Sequence, residues 1–203
     1  MLSRIALLVS ALAFPLVPAG AGASVQDAAP VATPEADLVQ VALDTGKGRI
    51  LLELDRGRAP ATVANFLRYV DARRFDGINF YRAMPYGEGN GLIQAGITRD
   101  VKLLFPPVRH EPPSETGLTH QAGSLLMANI GPGTARSDFF ITLGPIPTFK
   151  DSFALFGRVV EGLDVVQAIF ASPTDPNKGA GPMKGQMLDP TIPIRSARRV
   201  AAP

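Results

Sequence analysis

The 203-residue chain contains no cysteine. That excludes a disulfide framework, a thiol nucleophile, thiolate metal sites and a lipid-modified N-terminal cysteine. Histidine is scarce as well, with His110 and His120 the only two. Together with Glu111 they do not reproduce a metal-binding spacing such as HExxH, so they read as satisfied structural groups, and no metal or cofactor is expected. Nor does charge of one sign dominate: 20 Lys+Arg face 18 Asp+Glu, for a net charge of +2. Because the signs are interspersed, the pI of about 9.1 does not mark a nucleic-acid binder. Lys47 sits between Gly46 and Gly48 but lacks the GxxxxGK[ST] pattern, and an apolar strand pattern follows it instead of a helix, which rules out a phosphate loop. No internal repeat, no heptad pattern and no carboxylate pair in a glycosidase-like context is present.

The N-terminus has its own organisation. Arg4 is followed by a mostly apolar run over 5–17, broken by Ser10 and Pro15, and then by the small residues Ala21-Gly22-Ala23. The run is shorter than the ~20 residues a bilayer crossing requires, and the pattern is that of a cleaved secretory signal over 1–23. An exported, periplasmic product without membrane insertion is expected. Residues 24–37, rich in Ala, Pro and Asp, read as a disordered tether. Residues 38–203 are long enough for one domain with a substantial core.

Within that domain, period-two alternation predicts strands over 38–43 and 49–54, joined as a hairpin through the glycine-bearing turn at 44–48. Pro60 opens a helix to Val70 whose buried stripe is Val63, Phe66, Leu67 and Val70. Further strands are predicted over 78–82, 92–96, 123–129, 137–143, 153–159 and 191–200, with a second helix over 162–170. The segments 101–117 and 172–189 read as loops because they carry Pro and Gly without a sustained period. This inventory is a mainly β domain whose antiparallel sheet must close or be covered.

Several segments, in order, resemble the cyclophilin family of peptidyl-prolyl cis–trans isomerases. They are Pro60-x-x-Val63-x-Asn65-Phe66, Phe80-Tyr81-Arg82, Gln94-x-Gly96, Gly123 through Asn129 (GSLLMAN), Ser137-Asp138-Phe139-Phe140-Ile141 and Phe156 through Gly162 (FGRVVEG). The resemblance spans roughly 39–200. It implies a closed eight-stranded antiparallel β-barrel capped by two α-helices, with a proline-binding groove on the outer face. It also implies a monomer that acts on proline-containing polypeptides without a cofactor. By the same resemblance Arg82 matches the catalytic arginine and Gln94 the glutamine that bonds substrate and helps orient that arginine. Phe140 matches the aromatic floor of the proline pocket, Leu92 falls near its apolar wall, and Ala128 and Asn129 match the strand edge that pairs with substrate.

The chemistry fits those residue types. Rotating an X–Pro bond breaks amide resonance, at a barrier of about 18–20 kcal/mol. Catalysis then needs a groove for the ring and a donor for the pyramidal nitrogen of the twisted amide, because such a donor favours the transition state over both planar states. This chain also departs from the family pattern. The loop after Pro85 is longer than usual and lacks the pocket phenylalanine, leaving Gly91, Leu92 or Tyr86 to wall the pocket. Asp138 stands where glutamine is common, Phe153 replaces a rim histidine, and Phe149 lies near a rim tryptophan position. An acid at 138 is expected to pair with Arg82 if the two face each other. The alternative reading is a proline-segment binding module or chaperone with weak or no isomerase activity.

Overall fold

The computed structural model describes residues 37–201. The expected signal segment (1–23) and all but the last residue of the expected tether lie outside the described residues. Asp37 is held to the domain by Arg56, which donates Nε and Nη2 to its carboxylate at 2.7 and 2.9 Å.

The alternating stretches form strands as expected. β1 (Leu38–Thr45) and β2 (Gly48–Asp55) make a hairpin in continuous register from Leu38↔Asp55 to Thr45↔Gly48. β3 (Asn79–Pro85), β4 (Gly91–Gly96), β5 (Ser124–Met127), β6 (Phe139–Thr142), β7 (Ala154–Glu161), β8 (Thr174–Asp175) and β9 (Met187–Val200) follow. The strand order is β1-β2-β7-β5-β6-β4-β3-β9, and a β1–β9 pairing closes it into an eight-stranded antiparallel barrel. The two-residue β8 hangs on β9. Closure removes the sheet edges that an open sheet of this kind would expose.

Alternation sorts the strand residues into two apolar clusters. Inward-facing Leu43, Ile50, Leu52, Phe80, Ile93, Leu125, Met127, Phe139, Ile141 and Phe156 fill the barrel. Their outward-facing neighbours Leu92, Leu126, Phe140 and Leu155 form a smaller cluster with Ile146. Helix α1 (Pro60–Asp71) brings Phe66 into the interior, 5.2 Å from Phe139 and 5.3 Å from Phe156 between ring centres.

Two stretches read as loops carry structure of their own. Pro112 and Pro113 start a single-turn helix, α2 (Pro113–Thr116), which ends at Gly117 with φ 68°. The two expected helices are present as α1 and α3 (Leu163–Phe170), and α2 adds a third among the described residues. The 172–189 segment contains β8, a 3-10 turn at Gly181–Met183 and the start of β9, four residues before the expected beginning of that strand. The inward face of β9 also shifts from its simple alternation. Ile192 and Ile194 are buried, but after an irregularity opposite Asp44/Thr45 the next buried residue is Ala197 and not Ser196.

Helix α1 lacks a side-chain cap at Ala59. The buried carboxylate of Glu111 supplies it from afar, accepting from Ala61 N–H (3.1 Å), Thr62 N–H (2.7 Å) and the Thr62 hydroxyl (2.6 Å). A carboxylate at a helix N-terminus satisfies donors that have no intrahelical partner and complements the helix dipole.

Candidate active site

The site is a row written across the sheet. Arg82 on β3 pairs with Gln94 on β4, Gln94 with Phe140 on β6, and Phe140 with Leu126 on β5. All of these side chains face outward. Strict alternation on β3 would not allow this, since Phe80 is fully buried inside the barrel and a residue two positions on belongs to the same face. The register shows the solution: Phe80 opposes Ala95 and Arg82 opposes Gln94, leaving Tyr81 as an extra residue. A bulge of this kind re-aims the side chains that follow it. Tyr81 thus turns Arg82 outward and returns Ala83 to the interior.

The Arg82 guanidinium is held on two sides. Nη1 donates to Gln94 Oε1 at 2.9 Å, while Nε and Nη2 both donate to Gln186 Oε1 at 2.9 and 2.7 Å. Gln186 is itself anchored, with Nε2 donating to Pro182 O at 2.9 Å and its backbone carbonyl accepting from Ala83 N–H at 2.9 Å. An arginine carries five N–H groups, so these contacts fix the plane of the fork and leave donors for a ligand. Burial draws the Arg82 pKa below the usual arginine value, but a guanidinium remains charged. Gln186 was not identified from the sequence. It lies in a segment without periodicity, 104 positions from its partner.

Asp138 does not pair with Arg82, which corrects that expectation. Its carboxylate accepts from Tyr81 Oη at 2.7 Å and Ser137 Oγ at 3.0 Å, so the bulged tyrosine occupies the acid. The carboxylate lies against the α-carbon of Gly96, where a Cβ would collide with it. Burial raises the Asp138 pKa, opposed by these two donors. The Tyr81 phenol is pushed strongly upward, first by burial and then by the adjacent acid.

Beside Arg82 lies a groove of about 580 Å³. Nine of the residues singled out in the sequence line it: Arg82, Leu92, Gln94, Ala128, Asn129, Asp138, Phe140, Phe149 and Phe153; Tyr86 and Gly91 do not. At one end Phe140, Phe149 and Phe153 make an aromatic box, with edge-on ring centres 4.8–5.4 Å apart. Tyr86 and Leu92 pack with this cluster. Gly91 cannot carry the missing pocket aromatic, because a side chain there would strike Phe170 of α3 and the Met84 carbonyl. The lengthened loop is tied down by Asn90, whose Nδ2 donates to Pro145 O at 2.9 Å. His110 and His120 hydrogen-bond to Asp151 O at 2.6 Å and with Thr142 Oγ1 at 3.0 Å, respectively.

An outward arginine fixed by two amides beside an apolar aromatic box suits a planar, uncharged group that needs one strong donor. Comparison with known proteins agrees. Residues 38–198 match the family model described as cyclophilin type peptidyl-prolyl cis-trans isomerase/CLD. A "Peptidyl-prolyl cis-trans isomerase-like 1" from Rhizopus delemar is 36% identical over 147 residues, covering 68% of this chain and 84% of that protein. A "Peptidyl-prolyl cis-trans isomerase cyp18" from Streptomyces antibioticus is 35% identical over 151 residues, covering 68% and 87%. A crystal structure of a Cryptosporidium parvum cyclophilin-type isomerase superposes with a TM-score of 0.66 at 22% identity, covering 82% of this chain and 100% of that one. The chain therefore belongs to the cyclophilin-type family, whose activity is the cis–trans isomerisation of X–Pro peptide bonds.

Proposed function

We propose that Arg82 is the catalytic residue of this isomerase and that its substrates are X–Pro segments of exported polypeptides. The observation that carries the catalytic role is the Arg82–Gln94–Phe140 row, which sets a fixed guanidinium beside the aromatic box. In this reading the proline ring lies in the box of Phe140, Phe149 and Phe153, walled by Leu92. Ala128 and Asn129 offer backbone to the extended substrate. The free N–H groups of Arg82 then donate to the prolyl nitrogen once the amide twists and its lone pair localises. No covalent step is needed, because a donor that engages only the twisted state lowers the barrier by differential binding. Gln94 and Gln186 hold the fork, so little reorganisation accompanies the twist.

The test is Arg82→Ala, assayed by exchange spectroscopy on a proline-containing peptide. Loss of a preorganised donor typically costs about 10²–10³-fold in kcat, so a fall of that order is expected with the fold intact. Turnover within threefold of the parent would remove Arg82 from the mechanism.

Export is supported by the N-terminal pattern of Arg4, the interrupted apolar run and Ala21-Gly22-Ala23. In a bacterial expression host the mature protein is expected in the periplasmic fraction, beginning near Ser24. A cytoplasmic protein with an intact N-terminus would refute this part.

A further inference from the structure

One wall of the groove is edged by cations that no acid among the described residues neutralises. Arg136 lines the groove directly, as does Leu104. Phe105, next to Leu104, lies between two more guanidinium groups, with Cζ of Arg68 4.5 Å and Cζ of Arg74 3.8 Å from its ring centre. Their hydrogen bonds go to neutral acceptors: Arg68 to Asn65 Oδ1 and Pro106 O, and Arg74 to Leu103 O. Asn65 also donates to the Arg136 backbone carbonyl at 2.6 Å, so one side chain ties the Arg68 guanidinium to the backbone of Arg136. None of the three takes part in an ion pair among the described residues. All three guanidinium groups bear on one phenol, that of Tyr69, opposing the upward pull of its burial.

Nearby acids are already engaged. Asp71 and Asp76 pair with Arg199 and Arg198, Asp100 accepts from Lys102 N–H, and Asp138 is held by Tyr81 and Ser137. Cation–π contacts and the C-terminal turn of α1 account for placing Arg68 and Arg74 on Phe105. They do not account for a third arginine in the groove wall, since like charges held together repel until an anion joins them.

We propose that this cationic shelf selects X–Pro segments bearing Asp or Glu a few residues from the proline, on the side where the chain leaves the aromatic box toward Arg136. The proposal rests on the isomerase reading above. Phe140 and Arg136 are four positions apart in the chain, a span of at most about 13 Å, which about four extended substrate residues can cover.

The experiment compares peptides carrying Glu, Gln or Lys at each position within four of the proline, on either side. At low salt, Glu on one side is expected to raise kcat/KM about three- to tenfold over Gln, and high salt to erase most of the gain. The Glu/Gln ratio should approach one in Arg136→Gln and fall in Arg68→Gln/Arg74→Gln. It should persist in Arg49→Gln, which alters the β1–β2 hairpin outside the groove. Thermal melts show whether the double variant keeps its fold; Arg136→Gln decides if it does not. A ratio near one at every position overturns the proposal and leaves the isomerase reading standing, provided the Gln peptides turn over. A ratio that survives Arg136→Gln also overturns it. If no peptide is isomerised, the isomerase reading fails. Titration of the same peptides by amide chemical shifts then decides the shelf: tighter Glu-peptide binding lost in Arg136→Gln supports it, and equal affinities refute it. Arginine-dependent binding to phosphatidylglycerol vesicles, with peptide ratios at one, would reassign the shelf to a lipid surface and overturn the proposal.

Discussion

Phe139 and Phe140 are neighbours on one strand, yet they belong to different parts of the molecule. Phe139 packs inside the barrel against Phe66 and Phe75, ring centres 5.2 and 5.5 Å away. Phe140 points outward into the box with Phe149 and Phe153. Both are buried, at 0% and 3% exposure, so burial alone does not separate them. What separates them is what closes over each ring: helix α1 on the inside, and loop residues facing an open groove on the outside. The interior cluster holds the barrel together, while the outer cluster has a free face to offer a ligand.

Substitutions can break this contrast. Phe139→Ala is expected to cost about 3–5 kcal/mol of stability in urea unfolding, the usual range for emptying a packed aromatic site. Phe140→Ala should cost clearly less stability but raise KM for a proline peptide severalfold; equal stability losses would erase the distinction. Glu111→Gln tests the interior's dependence on a distant residue. Weakening the carboxylate cap on α1 should cost about 1–3 kcal/mol, read as a lower unfolding midpoint with the kinetics of the folded protein nearly unchanged.

On the outer face, Gln186→Met keeps the shape but removes the acceptor shared by Arg82 Nε and Nη2. A fall in kcat of about tenfold, equivalent to about 1.4 kcal/mol, is expected with KM little changed. In an Arg82→Ala background the same substitution should have no further effect on kcat, whereas a merely structural role would show in both backgrounds.

The smallest effect concerns Asp138. Because burial raises its pKa in the folded state, the native protein binds more protons than the unfolded chain between the ordinary carboxylate value near ~3.9 and the raised value. Stability therefore falls as pH rises through that window and stays lowered above it. Asp138→Asn is expected to gain at most about 1 kcal/mol at neutral pH. The gain should shrink as pH drops below the window in unfolding measured across pH. Its kcat should stay within threefold of the parent, since the acid does not touch Arg82.

Much of this was legible in the sequence because it rests on local periodicity. The β1–β2 hairpin, the Val63-Phe66-Leu67-Val70 stripe and the opposite facing of Phe139 and Phe140 follow from periods of two and 3.6. The groove residues came from motif order, not from any period. What escaped was set by pairings between distant segments. Glu111 reaches the start of α1 from 49 positions away, and Gln186 reaches Arg82 from a stretch that looked like loop. The partner of Asp138 escaped for a different reason: a bulge shows no mark in composition, and without it the facing of Tyr81 and Arg82 comes out reversed.

That bulge makes the pairing register of β3, and not only the identity of its residues, a condition for holding Arg82 in the groove. Were the bulge flattened with the strand kept at its length, Arg82 would share the inward face of Phe80 and its guanidinium would turn in among the phenylalanines, where an unpaired charge costs several kcal/mol or more. The groove would meanwhile lose its donor. Position 81 can therefore change its side chain at the expense of one hydrogen bond to Asp138, but the bulge cannot be straightened while the strand keeps its length. In this barrel the arginine reaches the groove only in the register that the bulge sets.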